Sequence, residues 1–273
     1  MRPRRSVEAP RRSCNPSQGT GHVDPGRVFP GRSRTLSRVE ELLLEWFREN
    51  GRDLPWRRTC DPYAILVSEV MLQQTQVERV IPRWRRWLER WPTVEALAAA
   101  PPAEAIVEWQ GLGYNRRAIN LHRAATHVAA NRWPDDLTTL PGVGPYTAAA
   151  VGNFAFGLAV LPVDTNIRRV QERTGAAFDA RCAQALFDLG ATVCIARVPR
   201  CEICPLAELC PSRGSRYEPL RKQGAFEGSF RQRRALALRA VADGAQPKDE
   251  DALASLARDG LVVLSDGAAS LPA

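Results

Sequence analysis

Four of the seven cysteines in this 273-residue chain fall in one short stretch, Cys194-x6-Cys201-x2-Cys204-x5-Cys210. Four thiolates this close in sequence suit either a tetrahedral zinc ion or a 4Fe-4S cluster. Zinc sites more often carry two Cys-x2-Cys knuckles, and only one is present, while Arg197, Arg200 and Pro205 add positive charge and a turn to the loops. Spacing alone leaves both metals open, and it makes a disulfide framework the weaker reading.

Two acids stand out beside the cysteines. Glu69 sits in the apolar run Ile65-Leu-Val-Ser-Glu-Val-Met-Leu72, with no basic residue near it in sequence. Burial there raises a carboxyl pKa and keeps the group protonated, as a general acid requires. The plain alternative is a glutamate on a helix surface. Asp164, in Leu161-Pro-Val-Asp-Thr-Asn-Ile167, precedes a helical pattern. It reads first as an N-cap, and a cap also leaves a carboxylate at a helix mouth, where it can stabilise positive charge. Between the two acids lies Leu140-Pro-Gly-Val-Gly-Pro-Tyr-Thr-Ala148, a turn between two helical stretches. Gly142 and Gly144 are expected to allow positive φ there, so that backbone N–H groups at the next helix start can hold a DNA phosphate.

The elements that must position these groups are mostly helices. From Ser37, apolar residues such as Val39, Leu42, Leu43, Trp46 and Phe47 recur at helical spacing, and such patterns continue to about residue 210. Breaks are expected at 51–55, 92, 101–102, 111–113, 134, 141–145 and 162, and no strand run interrupts them. The apolar stretch 146–163 contains Gly152, Asn153, Gly157 and Pro162, which favours a broken core helix over a membrane span. Residues 1–36, rich in Arg, Pro, Gly and Ser, read as a disordered basic tail without the apolar region of a secretory signal. Residues 213–230 read as a linker and 231–273 as a small module: helical patterns over 231–243 and 249–259, then a hairpin turning at Ser265-Asp-Gly267. Helix, helix and hairpin suggest a winged-helix-like piece. The net charge of +8 points to a polyanionic partner or to a generally basic proteome. The whole reads as a soluble, cytoplasmic protein.

Taken in order, Ser68-Glu-Val-Met-Leu-Gln-Gln-Thr-Gln-Val77, Gly111-Leu-Gly-Tyr114, Leu140-Pro-Gly-Val-Gly144, Val163-Asp-Thr-Asn166, Asp188-Leu-Gly-Ala191 and the four-cysteine spacing resemble adenine DNA glycosylases of the MutY type. These belong to the helix–hairpin–helix superfamily, with endonuclease III as a close relative, and the resemblance spans about residues 37–212. It implies a two-lobed helical fold. One lobe is a six-helix module over 62–160; the other, from 37–61 and 161–212, holds a 4Fe-4S cluster on Cys194, Cys201, Cys204 and Cys210. Double-stranded DNA with a mispaired or damaged base would bind a monomer between the lobes, with the target base flipped out. By the same resemblance Glu69 protonates the adenine and Asp164 meets the sugar cation, in parallel with glycoside hydrolysis. Tyr114 wedges into the base stack, and Gln73 and Gln74 contact DNA around the extruded base. Tyr146 stands where endonuclease III-type lyases carry a lysine, which implies a monofunctional enzyme without an imine step. Its phenol is expected to bond Asp164, to pack, or to do both.

The chain departs from the family pattern in places. The stretch from Asp164 to Cys194 is shorter by about a helix, Asn115 replaces a second aromatic after Tyr114, and 213–273 is too short for the β-rich domain that inspects 8-oxoguanine in typical relatives. Two other functions stay open at this point: a thymine or uracil mismatch glycosylase, and a non-catalytic, metal-containing DNA-binding protein.

Overall fold

The computed structural model describes residues 37–218, 224–265 and 267–273; the expected basic tail, part of the linker and the aspartate of the hairpin turn lie outside the described residues. The first helix, α1 (Arg38–Asn50), is followed by α2 (Pro62–Leu72), α3 (Val77–Arg90), α4 (Val94–Ala99), α5 (Pro102–Glu108), α6 (Arg116–Asn131) and α7 (Pro145–Phe154). After the loop 155–164 come α8 (Thr165–Thr174) and α9 (Ala183–Asp188). Several helix ends fall at Pro or Gly, although Pro82 is carried inside α3. Pro62, Pro102 and Pro145 open helices at positions whose N–H has no intrahelical partner, and Gly175, at φ +66°, closes α8 in the left-handed cap. No helix among the described residues is long and apolar enough to cross a membrane.

α2 explains why Glu69 matters. Every residue from Tyr63 to Met71 is buried, so the helix runs through protein on all sides rather than along a surface. It is anchored at its start by Asp61, which accepts from the Tyr63 and Ala64 N–H groups at 3.1 and 3.3 Å. Around it α3, α6 and α7 build one core with Trp84, Trp87, Trp91 and Trp109. A second core joins Leu43 of α1 to Ile167 and Val170 of α8, Leu186 and Leu189 around α9, and Leu206. Two buried acids clamp this return of the N-terminal helix. Glu40, fully buried, accepts from the Ser37 and Asp179 N–H groups at 2.7 and 2.6 Å. Asp188 binds Arg52 and Arg57 at 2.8 Å; burial opposes its charge, but the Arg57 and Arg52 bonds outweigh that and hold its pKa below the usual carboxylate range.

The C-terminal residues form α10 (Phe230–Ala242), α11 (Glu250–Arg258) and an antiparallel pair, β1 (Val263–Ser265) and β2 (Ala268–Ser270), in the register Val263↔Ser270. This piece does not stand alone. Its core of Leu238, Val241, Leu256 and Leu261 includes Ile106 of α5 and Ile119 of α6.

Candidate active site

α7 packs alongside α2 and brings Tyr146 to Glu69. The phenol donates to Glu69 Oε2 at 3.0 Å. Burial pushes the Glu69 carboxyl up to about 7; the Tyr146 bond pulls the other way and the charge of Asp164 adds to the rise. The phenol is itself held above its ordinary range, first by burial and then by the charges of Glu69 and Asp164, so it stays an O–H donor. The expected bond from Tyr146 to Asp164 is therefore replaced by one to Glu69: the phenol is on α7, whose neighbour is α2. It also packs edge-on against Phe187, with ring centroids 6.3 Å apart, so packing and hydrogen bonding coexist.

Asp164 is an N-cap, and it is more than that. Its Oδ1 accepts from the Ile167 N–H at 2.7 Å and its Oδ2 from the Asn166 amide at 2.9 Å. Asn166 Oδ1 in turn accepts from Arg169, whose guanidinium also binds the Gly190 and Cys194 carbonyls at 2.7 and 2.8 Å. A hydrogen-bonded path thus runs from the aspartate to the loop that enters the cysteines. Gly190 permits it, since a Cβ there would lie 2.7 Å from Asn166 Cβ. Sequence reading singled out neither Asn166 nor Arg169 individually, because nothing local shows that the two ends of this path meet.

The expected DNA contacts lie on loops at the ends of these helices. Gly142 has φ +78°, and a Cβ on it would meet the Asn120 side chain at 2.8 Å. Gly144 does not share this feature: it is extended (φ −89°, ψ 177°), as an N-cap before Pro145 must be, and it leaves open space in front of the α7 N-terminus. Gln73 ends α2 and its amide lies 3.5 Å from the Thr147 hydroxyl. Gln74 is exposed at φ +56°, and Tyr114, 42 % exposed, has φ +47°. Positive φ in non-glycine residues is costly and must be imposed by surroundings. Arg117 imposes it. Its guanidinium donates to the Val70, Met71 and Gln73 carbonyls at 2.7–3.0 Å and to Leu112 and Gly113 at 3.2 and 2.9 Å, so one side chain holds both loops. Burial lowers its pKa to about 10.

A profile described as "HhH-GPD superfamily base excision DNA repair protein" matches residues 67–184, the span that includes Glu69, Tyr146 and Asp164. The adenine DNA glycosylase of Mycolicibacterium smegmatis is 44 % identical over 246 residues, covering 78 % of this chain and 83 % of the relative. That of Mycobacterium tuberculosis is 41 % identical over 281 residues, covering 84 % and 92 %. The chain belongs to the adenine DNA glycosylase family. Among solved structures, a thermostable thymine-DNA glycosylase superposes with a TM-score of 0.58 at 29 % identity, over 63 % of this chain and 93 % of that one. A trapped endonuclease III–DNA covalent intermediate gives 0.56 at 24 % identity, over 63 % and 92 %, which is a likeness of fold.

In this member of the adenine glycosylase family, Cys194, Cys201, Cys204 and Cys210 line one cavity with Arg173 and Leu206. A π-helical turn, Leu189–Val193, delivers Cys194 to it. Burial, then the neighbouring thiols, push the Cys204 thiol up to about 11, although a backbone bond at Leu206 opposes this. Polar hydrogens already face the sulfurs: Arg173 Nη1 is 3.4 Å from Cys194 Sγ, and the Gly214 N–H is 3.3 Å from Cys201 Sγ. No three His, Cys, Asp or Glu side chains among the described residues converge tightly enough to hold a single metal ion.

Proposed function

We propose that this chain is a monofunctional glycosylase that hydrolyses the N-glycosidic bond of adenine mispaired with 8-oxoguanine or guanine in double-stranded DNA. Its family places it in base excision repair, and the observation that carries the reading is the pairing of two unlike carboxyl groups across Tyr146. Glu69, buried and raised to about 7, keeps its proton in about half of the molecules at neutral pH. It gives that proton to a ring nitrogen of the flipped adenine. The C1′–N9 bond breaks with its electron pair going to the purine, and the Asp164 carboxylate faces the resulting sugar cation. Water adds to C1′ and its proton returns to Glu69, leaving an abasic site. Tyr146 donates to Glu69 Oε2 and so orients the carboxyl, and it offers no amine, so no imine forms and the strand is left uncut. Gln73, Gln74 and Tyr114 act on the DNA around the extruded base, and the open N-terminus of α7 behind Gly142 and Gly144 takes a phosphate.

Single-turnover base release tests this. Adenine opposite 8-oxoguanine and opposite guanine should be released, and strand breaks should be seen only after an alkali chase. Breaks without alkali would defeat the monofunctional reading. Thymine release opposite guanine would favour the second reading, which the likeness to the thymine-DNA glycosylase supports.

Cys194, Cys201, Cys204 and Cys210 line one cavity with hydrogen-bond donors at two of the sulfurs, a four-thiolate donor set that fits the 4Fe-4S cluster expected from the resemblance. Bound there, the cluster would supply thiolate–iron bonds that fix the loop 194–210. That loop is tied through Arg169 and Asn166 to Asp164 but does not reach the reacting bond. Cys201→Ser is therefore expected to lose the visible absorbance of the cluster and to weaken duplex affinity or soluble yield by about tenfold. The single-turnover rate at saturating protein should change only a few-fold. A purified variant with intact cluster absorbance would remove Cys201 from the ligand set.

A further inference from the structure

The C-terminal helices are seated on the two helices that bracket the Tyr114 loop. Ile106 of α5 and Ile119 of α6 are buried in their core. Arg116, at the start of α6, pairs with Asp259 at 3.6 Å. Gly260, at φ +74°, lets the Arg123 guanidinium come so close that a Cβ would stand 2.6 Å from Nη2. This docking sets the start of α10 beside Tyr114, and Arg231 Nη1 lies 3.4 Å from the Tyr114 hydroxyl. The other Arg231 donors hold the Gly224 and Ala225 carbonyls at 2.7 and 3.3 Å. Its guanidinium is 5.9 Å from the ring of Phe226, which is itself half exposed. The neighbouring arginines differ: Arg233 pairs with Asp249, and Arg234 with Asp259. Among the described residues Arg231 has carbonyl and hydroxyl partners but no carboxylate, so its charge stands unneutralised next to the exposed tyrosine.

We propose that Arg231, with Phe226 beside it, extends the DNA-binding face past Tyr114 and neutralises a DNA phosphate flanking the wedged step. The occupant follows from continuity with the Tyr114 loop and from charge: a guanidinium held by neutral oxygens keeps its attraction for a phosphate. The C-terminal piece is then part of the DNA-reading surface. This inference rests on the base-excision reading given above.

The test uses the full chain carrying Glu69→Gln, so that the duplex is not turned over, and a fluorescent duplex with adenine opposite 8-oxoguanine. Affinity is measured from about 50 to 200 mM salt. Adding Arg231→Gln should weaken binding about five- to twentyfold and reduce the slope of log K against log salt by about one, the loss of one phosphate contact. Arg231→Lys should restore the slope. A slope unchanged by Arg231→Gln would overturn the proposal even if affinity fell, because Arg231 would then only steady Tyr114. No mismatch binding by the Glu69→Gln parent would overturn both this proposal and the base-excision reading, whereas a binding parent with an unchanged slope overturns this proposal alone.

Discussion

Replacing Glu69 by Gln is expected to leave mismatch-duplex binding in place and to lower single-turnover adenine release by about a thousandfold, within the range for loss of a positioned general acid. The amide keeps the shape and can still accept the Tyr146 O–H, but it has no acidic proton to give. In the unmodified chain the group titrates at about 7, so release should be flat on the acid side and fall as pH rises through 7. Residual release within tenfold of the unmodified rate would remove Glu69 from the acid role. The same substitution has a stability signature of opposite sense. An unfolded glutamate ionises near pH 4.3 and the folded one at about 7. Between these values the folded state holds a proton that the unfolded state has released, so stability falls as pH rises through that window and stays lower above it. The penalty is about 3–4 kcal/mol at pH 8 for this buried group. Glu69→Gln should therefore melt about 5 °C or more above the unmodified chain at pH 8, with the gap closing as pH falls to about 4. A catalytic group that destabilises the fold when ionised is the behaviour expected of a strained functional site.

Arg117→Met is expected to be the most damaging single change outside the two acids. It removes the donor shared by the carbonyls of Val70, Met71, Gln73, Leu112 and Gly113, and a packing partner of Trp109 and Tyr114. Buried acceptors left without a donor cost about 1–3 kcal/mol each, and part of that is recovered by water entering the loops. A net loss of about 3 kcal/mol would lower Tm by roughly 6–12 °C for a domain of this size. Below the transition, Gln74 and Tyr114 should relax from their positive φ, and affinity for the mismatch duplex should fall at least about tenfold. Arg117→Lys keeps the charge but cannot span both loops, so it should rescue little. A melt within 2 °C of the unmodified chain, with duplex affinity intact, would show that the loops hold themselves.

The sequence by itself determined the helical class, most helix boundaries and the family, and it singled out the two acids and the cysteine spacing as candidates. Each is a local signal. Proline and glycine mark many of the helix ends, although Pro82 lies inside α3 and Gly152 inside α7; apolar spacing marks a buried face, and an acid inside an apolar run such as Ile65–Leu72 declares its burial. The helix pair and hairpin after residue 230 were legible for the same reason, at Phe230–Ala242, Glu250–Arg258 and Val263–Ser270. What lay beyond local signals was decided by packing. The partner of Tyr146 is Glu69 rather than Asp164 because α7 lies against α2. Gly144 is extended because it caps α7, whereas Gly142 alone needs positive φ. Arg117 reads in sequence as one more helix-surface arginine, yet the meeting of two loops separated by some forty residues turns it into their common clasp. The path from Asp164 to Cys194, and the seat of α10 beside Tyr114, likewise join residues distant in sequence. Chain periodicity records which face of a helix is covered, but only the tertiary structure decides what covers it, since many apolar faces can satisfy the same pattern and only one arrangement also satisfies the buried polar groups.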